Sequence, residues 1–540
     1  MKLTQTIFRW FDAVLFDLFR QMRWSFLPPL MVYLAYGVST LTAIVGVFFV
    51  KEYLGLSAAF LAGLSFWAGL PWALKMPLGH LVDIVWRWKW LLLYLGAALV
   101  ASSFGIMYLL ISAPDVMGAV LPIEAWFIAS TLLAPCGLVL QDAVADAMSV
   151  EAVPRHAPDG APLDDDILRG MHTTMQMLGR VALIGGTLIV AMINIIAFDG
   201  VEDLTQPAKA EVYADIYLIA MIVPLISVSG VILASLQRRL AIRRAVRAGL
   251  DTGALTHRPG PPTKVNPWYF IGGGAFVALS LSVGLLKVPY AQEIVFAGSM
   301  TIVLLLMRQL LRVLSPAQAR MLVGTALIIF VFRAVPLPGQ GATWFSIDEL
   351  GFDPQFLSVL QLVAALLTLV AMIVLRPFMA QRRLTQVYLI LTIAAGVLAL
   401  PNISLYYGIQ DITAPLTGGL VDARFIAVLD TAAESPLSQI ALIPMLAWIA
   451  RNAPDNLKAT FFAVMASFTN LALSASSLAT KYLNQVFVVN REITDTTGGV
   501  EVPADYTQLG WLLITTGALG FILPLLTILL VQRSRLHTTD

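Results

Sequence analysis

Asp430 and Glu434 stand four residues apart in the run VDARFIAVLDTAAESPLSQIALIPMLAWIA at 421–450, which is otherwise apolar. That spacing puts both carboxylates on one face of a helix. Counted inward from 421, they fall roughly 13 and 20 Å from the outer surface of a membrane, near its centre. Arg333, in FRAVPLP, comes out at a similar level. Charges at such depth are costly unless paired or hydrated, so each is a candidate for function. Acids opposite an arginine are suited to proton-coupled carriage of an anion. The arginine holds a substrate carboxylate, and protonation of an acid frees it. The alternative is a buried salt bridge that keeps two helices in register.

A second group lies in the first half of the chain. Asp142 and Asp146 are again four apart, in GLVLQDAVADAMSVE, and Arg180 lies on the following apolar run. Asp142 comes out about 8 Å and Arg180 about 10 Å from the cytoplasmic ends of their runs, so a pair between neighbouring helices is within reach. Two readings are open. The acids form a proton-binding or substrate-contacting pair, or they interlock with Lys75, Asp83, Arg87 and Arg180 as a cytoplasmic gate that touches no substrate. Lys481, near an outer helix end, is expected to snorkel to the interface.

Other chemistries lack their residues. No GxxxxGK[ST] phosphate loop, HExxH or GxSxG occurs, and Cys136 is the only cysteine. ATP-driven transport by this chain alone, hydrolysis, metal centres and intrachain disulfides are therefore not expected, and the chain is read as a non-enzyme without a cofactor.

The elements that must position these side chains follow from hydropathy. The 540 residues are 58% hydrophobic and only 12% charged, which makes lipid the relevant solvent. Apolar runs of spanning length fall near 26–50, 54–74, 90–111, 123–147, 173–198, 214–236, 268–286, 291–313, 318–337, 355–376, 385–402, 421–450, 459–488 and 510–531. The expectation is an all-α membrane protein of about 14 transmembrane helices. Residues 1–25 read as an amphipathic helix on the membrane surface, not a signal peptide, because charges interrupt their apolar stretch. Net charge is +1, which gives no reason to expect nucleic acid.

Lysine and arginine placement sets the orientation. With a cytoplasmic N-terminus, Lys51, Lys209, Lys287 and Arg491 fall outside, and Arg180, Arg333, Arg424 and Lys481 lie deeper in spans. The rest of the 34 basic residues fall on the cytoplasmic side, so both termini are expected there. The basic, Pro-rich segment 237–267 reads as a cytoplasmic linker. It divides a six-helix bundle at 26–236 from an inserted transmembrane hairpin at 268–313 and a second six-helix bundle at 318–540.

Four blocks make the chain recognisable: GLPWALKMPLGHLVD at 69–83, GLVLQDAVADAMSVE at 137–151, FRAVPLPGQGATWFSIDELGF at 332–352 and QIALIPMLAWIARNAPDNLKATFFAVMASFTN at 439–470. In that order they resemble the folate-biopterin transporter family of the major facilitator superfamily. The resemblance implies a facilitator fold, alternating access and cation-coupled movement of pterin-like or related solutes. Gln439 and Asn470 lie in these blocks and are candidates for hydrogen bonding a heterocycle edge, with helix-to-helix bonding as the alternative. The expected partners are a small-molecule substrate, protons or another coupling cation, and the lipid bilayer of a bacterial-type inner membrane, with the chain a monomer. Two rivals remain: a facilitator for a peptidoglycan fragment or nucleoside-like solute, and a non-transporting membrane assembly or pigment-delivery factor on the same fold.

Overall fold

A computed structural model describes residues 20–54, 56–154, 163–247, 267–286, 288–312, 314–374, 384–440, 458–494 and 500–536. Helices account for nearly all of them, beside one antiparallel ribbon of Ile493–Thr494 and Val500–Val502. Six long helices come first: α1 (Trp24–Lys51), α2 (Ala58–Leu74), α3 (Lys89–Ser112), α4 (Ile123–Ala152), α5 (Asp165–Ala197) and α6 (Gln206–Arg247). Two follow at α7 (Pro267–Leu285) and α8 (Ala291–Leu311). Six more long helices are α9 (Pro316–Arg333), α10 (Pro354–Val374), α11 (Leu384–Tyr406), α12 (Ala423–Ile440), α13 (Lys458–Val486) and α14 (Leu509–Arg533), with short helices at Lys75–Ile84, Pro114–Gly118, Gln340–Asp348 and Ile409–Leu416. Nine helices among the described residues are long and apolar enough to cross a membrane, while α2, α7 and α8 carry shorter apolar stretches.

Local signals set several helix ends. Ser57 caps α2 by accepting from Phe60 N at 3.2 Å. Ser315 and Gln318 form a reciprocal capping box at the start of α9, with Pro316 in the first turn. The sixth helix runs on to Arg247, past the expected end at 236. Its last turns, QRRLAIRRAVR, are good helix formers and carry cations at the C-terminus, where the helix dipole favours them. The expected amphipathic helix at 1–25 and the linker beyond 247 fall largely outside the described residues.

The chain divides into two compact units. The first comprises residues up to Ala43 and Pro77–Pro267. Small residues let its helices approach closely. A Cβ on Gly96 of α3 would lie 2.6 Å from the Gly137 carbonyl oxygen of α4, and one on Gly186 of α5 would meet the Leu34 carbonyl of α1 at 2.6 Å. Such contacts suit association in lipid, where burying apolar surface supplies little drive. Ser103 and Ser130, both buried, exchange hydrogen bonds across the α3–α4 seam at 2.8–3.0 Å.

The second unit comprises Ile44–Met76 and Trp268–Asp540. Its main core joins Leu322, Ile328 and Ile329 of α9 to Tyr388 of α11, Met465 and Leu471 of α13 and Ile528 of α14. A smaller cluster joins Phe66 and Leu70 of α2 to Phe276 of α7 and Val295 of α8. At one end of this unit polar groups tie several segments together. Arg491 donates to the Val50 and Leu54 carbonyls and lies over the Trp344 ring, and Asp348 accepts from both Lys51 and Tyr506.

Candidate functional site

The second unit holds the candidate site on the seam of α11 and α12. Helix α12 starts at Ala423, two residues later than the sequence suggested, which puts Asp430 about 10 Å and Glu434 about 16 Å along it. Asp430 is 8% exposed. Asn402 Nδ2 of α11 donates to its Oδ2 at 2.8 Å, while Oδ1 is buried without a partner among the described residues. Glu434 lies one turn further on and is exposed. Beside the seam, Thr368 of α10 donates to the Ser435 carbonyl at 3.2 Å, and Gln361 of α10 buries an unpartnered Oε1. Three helices thus bring amide, hydroxyl and carboxyl groups together in an apolar setting.

Arg333, at the end of α9, occupies a different level. Its charge acts on Tyr388, whose ring meets Phe332 edge-on at 5.0 Å. Tyr388 and Asn402 are fourteen residues apart on α11, or about 21 Å along the axis. The structure therefore gathers Asp430 and Glu434 on one helix and sets Arg333 elsewhere along α11. Asn470 donates to the Trp72 carbonyl at 3.1 Å and so joins α13 to α2. Gln439 falls in the last described turn of α12, and its side chain lies outside the described residues.

In the first unit, Tyr33 of α1 donates to Asp146 at 2.7 Å, and Asp142 acts on the same phenol from one turn away. Arg180 is exposed on α5. Asp83 is half-buried on the short helix Lys75–Ile84, and Arg87 is exposed in the turn beyond it. Lys75, half-buried at the start of that helix, belongs to the second unit. An ion pair here joins Lys89 to Glu151 at 2.7 Å, with the Lys89 ammonium over the Trp86 ring at 3.9 Å.

Lys481, expected to snorkel, also has a charged partner within the second unit. It pairs with Glu293 of α8 at 3.1 Å, and Tyr482 donates to the same carboxylate. A partner 188 residues away gives no local sign in sequence. Arg424 similarly pairs with Asp353 at 2.7 Å, at the start of α12.

Between α13 and α14, outside the spans, burial pulls the Arg491 guanidinium down to about 10, while Asp348 and Tyr506 act in the opposite sense. Burial and the bond to Asp348 push the Tyr506 phenol up, so it stays protonated and remains a donor.

Asn402, Tyr33 and Glu293 were missed as partners by the sequence reading. Only Asn402 left a local mark, as a polar residue after proline in the apolar run VLALPNISLY.

A family model for the BT1 family matches residues 36–539. The chain belongs to the BT1 family. Among curated relatives of this BT1 protein is a folate-biopterin transporter of Synechocystis sp., 23% identical over 467 residues, covering 85% of this chain and 75% of the relative. A putative folate transporter 2 of Plasmodium berghei is 27% identical over 179 residues, covering 31% and 36%. Solved structures share the BT1 chain's fold. A POT family transporter in complex with 5-aminolevulinic acid aligns at TM-score 0.60 and 12% identity over 95% of this chain and 96% of that one. A peptide transporter POT in complex with sulfate gives TM-score 0.58 and 14% identity over 95% and 96%. This BT1 protein is an all-α, multi-pass membrane transporter that shares its fold with those solved structures.

Proposed function

We propose that the chain is a secondary active transporter that moves a small organic anion of the folate or pterin kind by alternating access, driven by protons. The family match and the curated relatives support the substrate class. The observation that carries the coupling is Asp430, a buried carboxyl on α12 with one amide donor and one oxygen that has no partner among the described residues. Keeping that group charged is expensive, so it is a natural place for a proton to bind and leave. Arg333 holds the anion. Helix α11 passes both groups, with Tyr388 near Arg333 and Asn402 on Asp430, and would carry the effect of protonation between them. Gln439 and Asn470 remain candidate substrate contacts, Asp83, Arg87, Asp142, Asp146 and Arg180 form a gate or a second proton site within the first unit, and Lys75 is a gate candidate of the second. In this proposal two six-helix bundles rock about the substrate, with 268–313 inserted between them and both termini in the cytoplasm.

Proteoliposomes with an imposed pH gradient, given labelled folate or biopterin, test the proposal. Uptake should exceed that without a gradient, and collapsing the gradient should remove the excess. Asp430→Asn should lose the gradient-driven part while exchange of labelled for unlabelled solute continues. Gradient-driven uptake by Asp430→Asn at the parent's rate would remove the coupling role from Asp430, and no uptake of either solute by the parent would remove the substrate class.

A further inference from the structure

We propose that Asn402 is a positioning residue that assigns the two oxygens of Asp430, keeping Oδ2 as a hydrogen-bond acceptor and leaving Oδ1 as the atom that takes up and releases the proton. The inference rests on the coupling role proposed for Asp430.

Asn402 Nδ2 donates to Oδ2 at 2.8 Å, and Asp430 is 8% exposed. Oδ1 is enclosed and has no partner among the described residues. An ionised carboxylate has about four acceptor positions, and one amide N–H fills a single one. The charged form is therefore poorly satisfied. Protonation adds one hydrogen to Oδ1, forms the O–H bond from an oxygen lone pair and takes the group from −1 to neutral. Release reverses each of these changes. A proton placed on Oδ2 would face the amide N–H, whereas one on Oδ1 leaves that bond intact, with Oδ2 as the carbonyl oxygen.

Among the described residues, the helices packed against α12 add no cation beside Asp430. Helices α10 and α11 pack against α12. Helix α10, Pro354–Val374, contains no ionisable residue, and α11 contributes only the phenols Tyr388 and Tyr406. Tyr388 is fourteen residues from Asn402, and the Tyr406 hydroxyl is turned to the Tyr506 and Thr507 carbonyls at 3.0 and 3.2 Å. On α12 itself, Glu434 is exposed one turn away and Arg424 is paired with Asp353. Asn402 thus supplies the hydrogen bond that Asp430 receives. It follows Pro401, whose missing N–H removes one helix bond at that turn.

Infrared difference spectra of the purified, lipid-reconstituted full chain, taken between acidic and alkaline pH, read the protonated carboxyl directly and need no substrate. The parent should show a carboxylic C=O stretching band that Asp430→Asn lacks. In Asn402→Leu the carbonyl loses its donor, so the band should move to higher wavenumber, and Asn402→Gln should return it toward the parent position. Gradient-driven uptake of labelled folate should fall about tenfold in Asn402→Leu with exchange changed less than about twofold, a loss confined to the proton-linked step. Should Asn402→Leu fail to fold, Asn402→Ala is read by the same band. A band that Asp430→Asn leaves in place overturns the coupling role itself. A band lost in Asp430→Asn but unmoved in the Asn402 variants overturns the positioning role alone.

Discussion

Lys481 is a lysine near a helix end whose side chain is only 19% exposed, and its partner Glu293 is 25% exposed. Removing one member leaves the other short of its counter-charge at a site where water is scarce, a loss of about 1–3 kcal/mol. Lys481→Met should lower the melting temperature of the detergent-purified protein, and Lys481→Met with Glu293→Gln should recover part of that loss. Equal melting of the parent and Lys481→Met would show that the pair adds nothing. The same comparison explains what sequence could reveal at this scale. Asp430 and Glu434 were visible because a carboxylate is conspicuous in an apolar run. Asn402, Glu293 and Tyr33 were not assigned their partners, because those contacts depend on which helices are neighbours. The partner of Lys481 went unforeseen for that reason, since a helix-end lysine and a paired lysine look identical until the facing helix is known.

Helices in this chain meet where glycine removes the side chain. Gly137 of α4 illustrates the point, because a Cβ there would lie 2.5 Å from the Gly96 carbonyl oxygen and 2.8 Å from a Val100 methyl. Backbone cannot yield as a flexible side chain can, so Gly137→Leu forces α3 and α4 apart and strains the Ser103–Ser130 bonds further along the seam. Overpacking of this kind costs about 1–3 kcal/mol or more. Thermal melts should show a clear loss for Gly137→Leu and little change for Gly118→Ala, where a Cβ meets nothing within 4 Å. Parent-like melting of Gly137→Leu would mean the helices can part without cost. Element bounds were largely legible, because hydropathy marks where a helix enters and leaves lipid. Helix α6 overran its expected end because a basic helix can continue into water, which hydropathy does not register. The start of α12 shifted to Ala423 because Asp422 caps it, its carboxylate accepting from Phe425 N at 2.8 Å.

At the scale of the whole chain the sequence offered a count of crossings and an orientation, and the pair α7–α8 is where both are most exposed to test. Helix α7 has 19 residues and α8 has 21, about 28 and 31 Å of helix, enough to cross some 30 Å of hydrocarbon. Charge placement then makes a specific demand. The basic segment around 250 and the C-terminus should share one side of the membrane, and the turns after α5, after α7 and before α12 should lie on the other. Single cysteines at positions 204, 255, 289, 419 and 538, in a Cys136→Ser background, separate the alternatives through labelling of intact cells by a membrane-impermeant maleimide. Positions 204, 289 and 419 should react from outside, and 255 and 538 only after lysis. Labelling at 289 only after lysis would show that α7 and α8 return without crossing. Accessibility of 255 and 538 from opposite sides would require an odd number of crossings between them and break the two-bundle arrangement. The pairing of Glu293 with Lys481 fits the crossing version. Near the start of α8 and the end of α13, both residues then fall on the outer side, where each charge has a counter-ion within reach and neither enters the hydrocarbon alone.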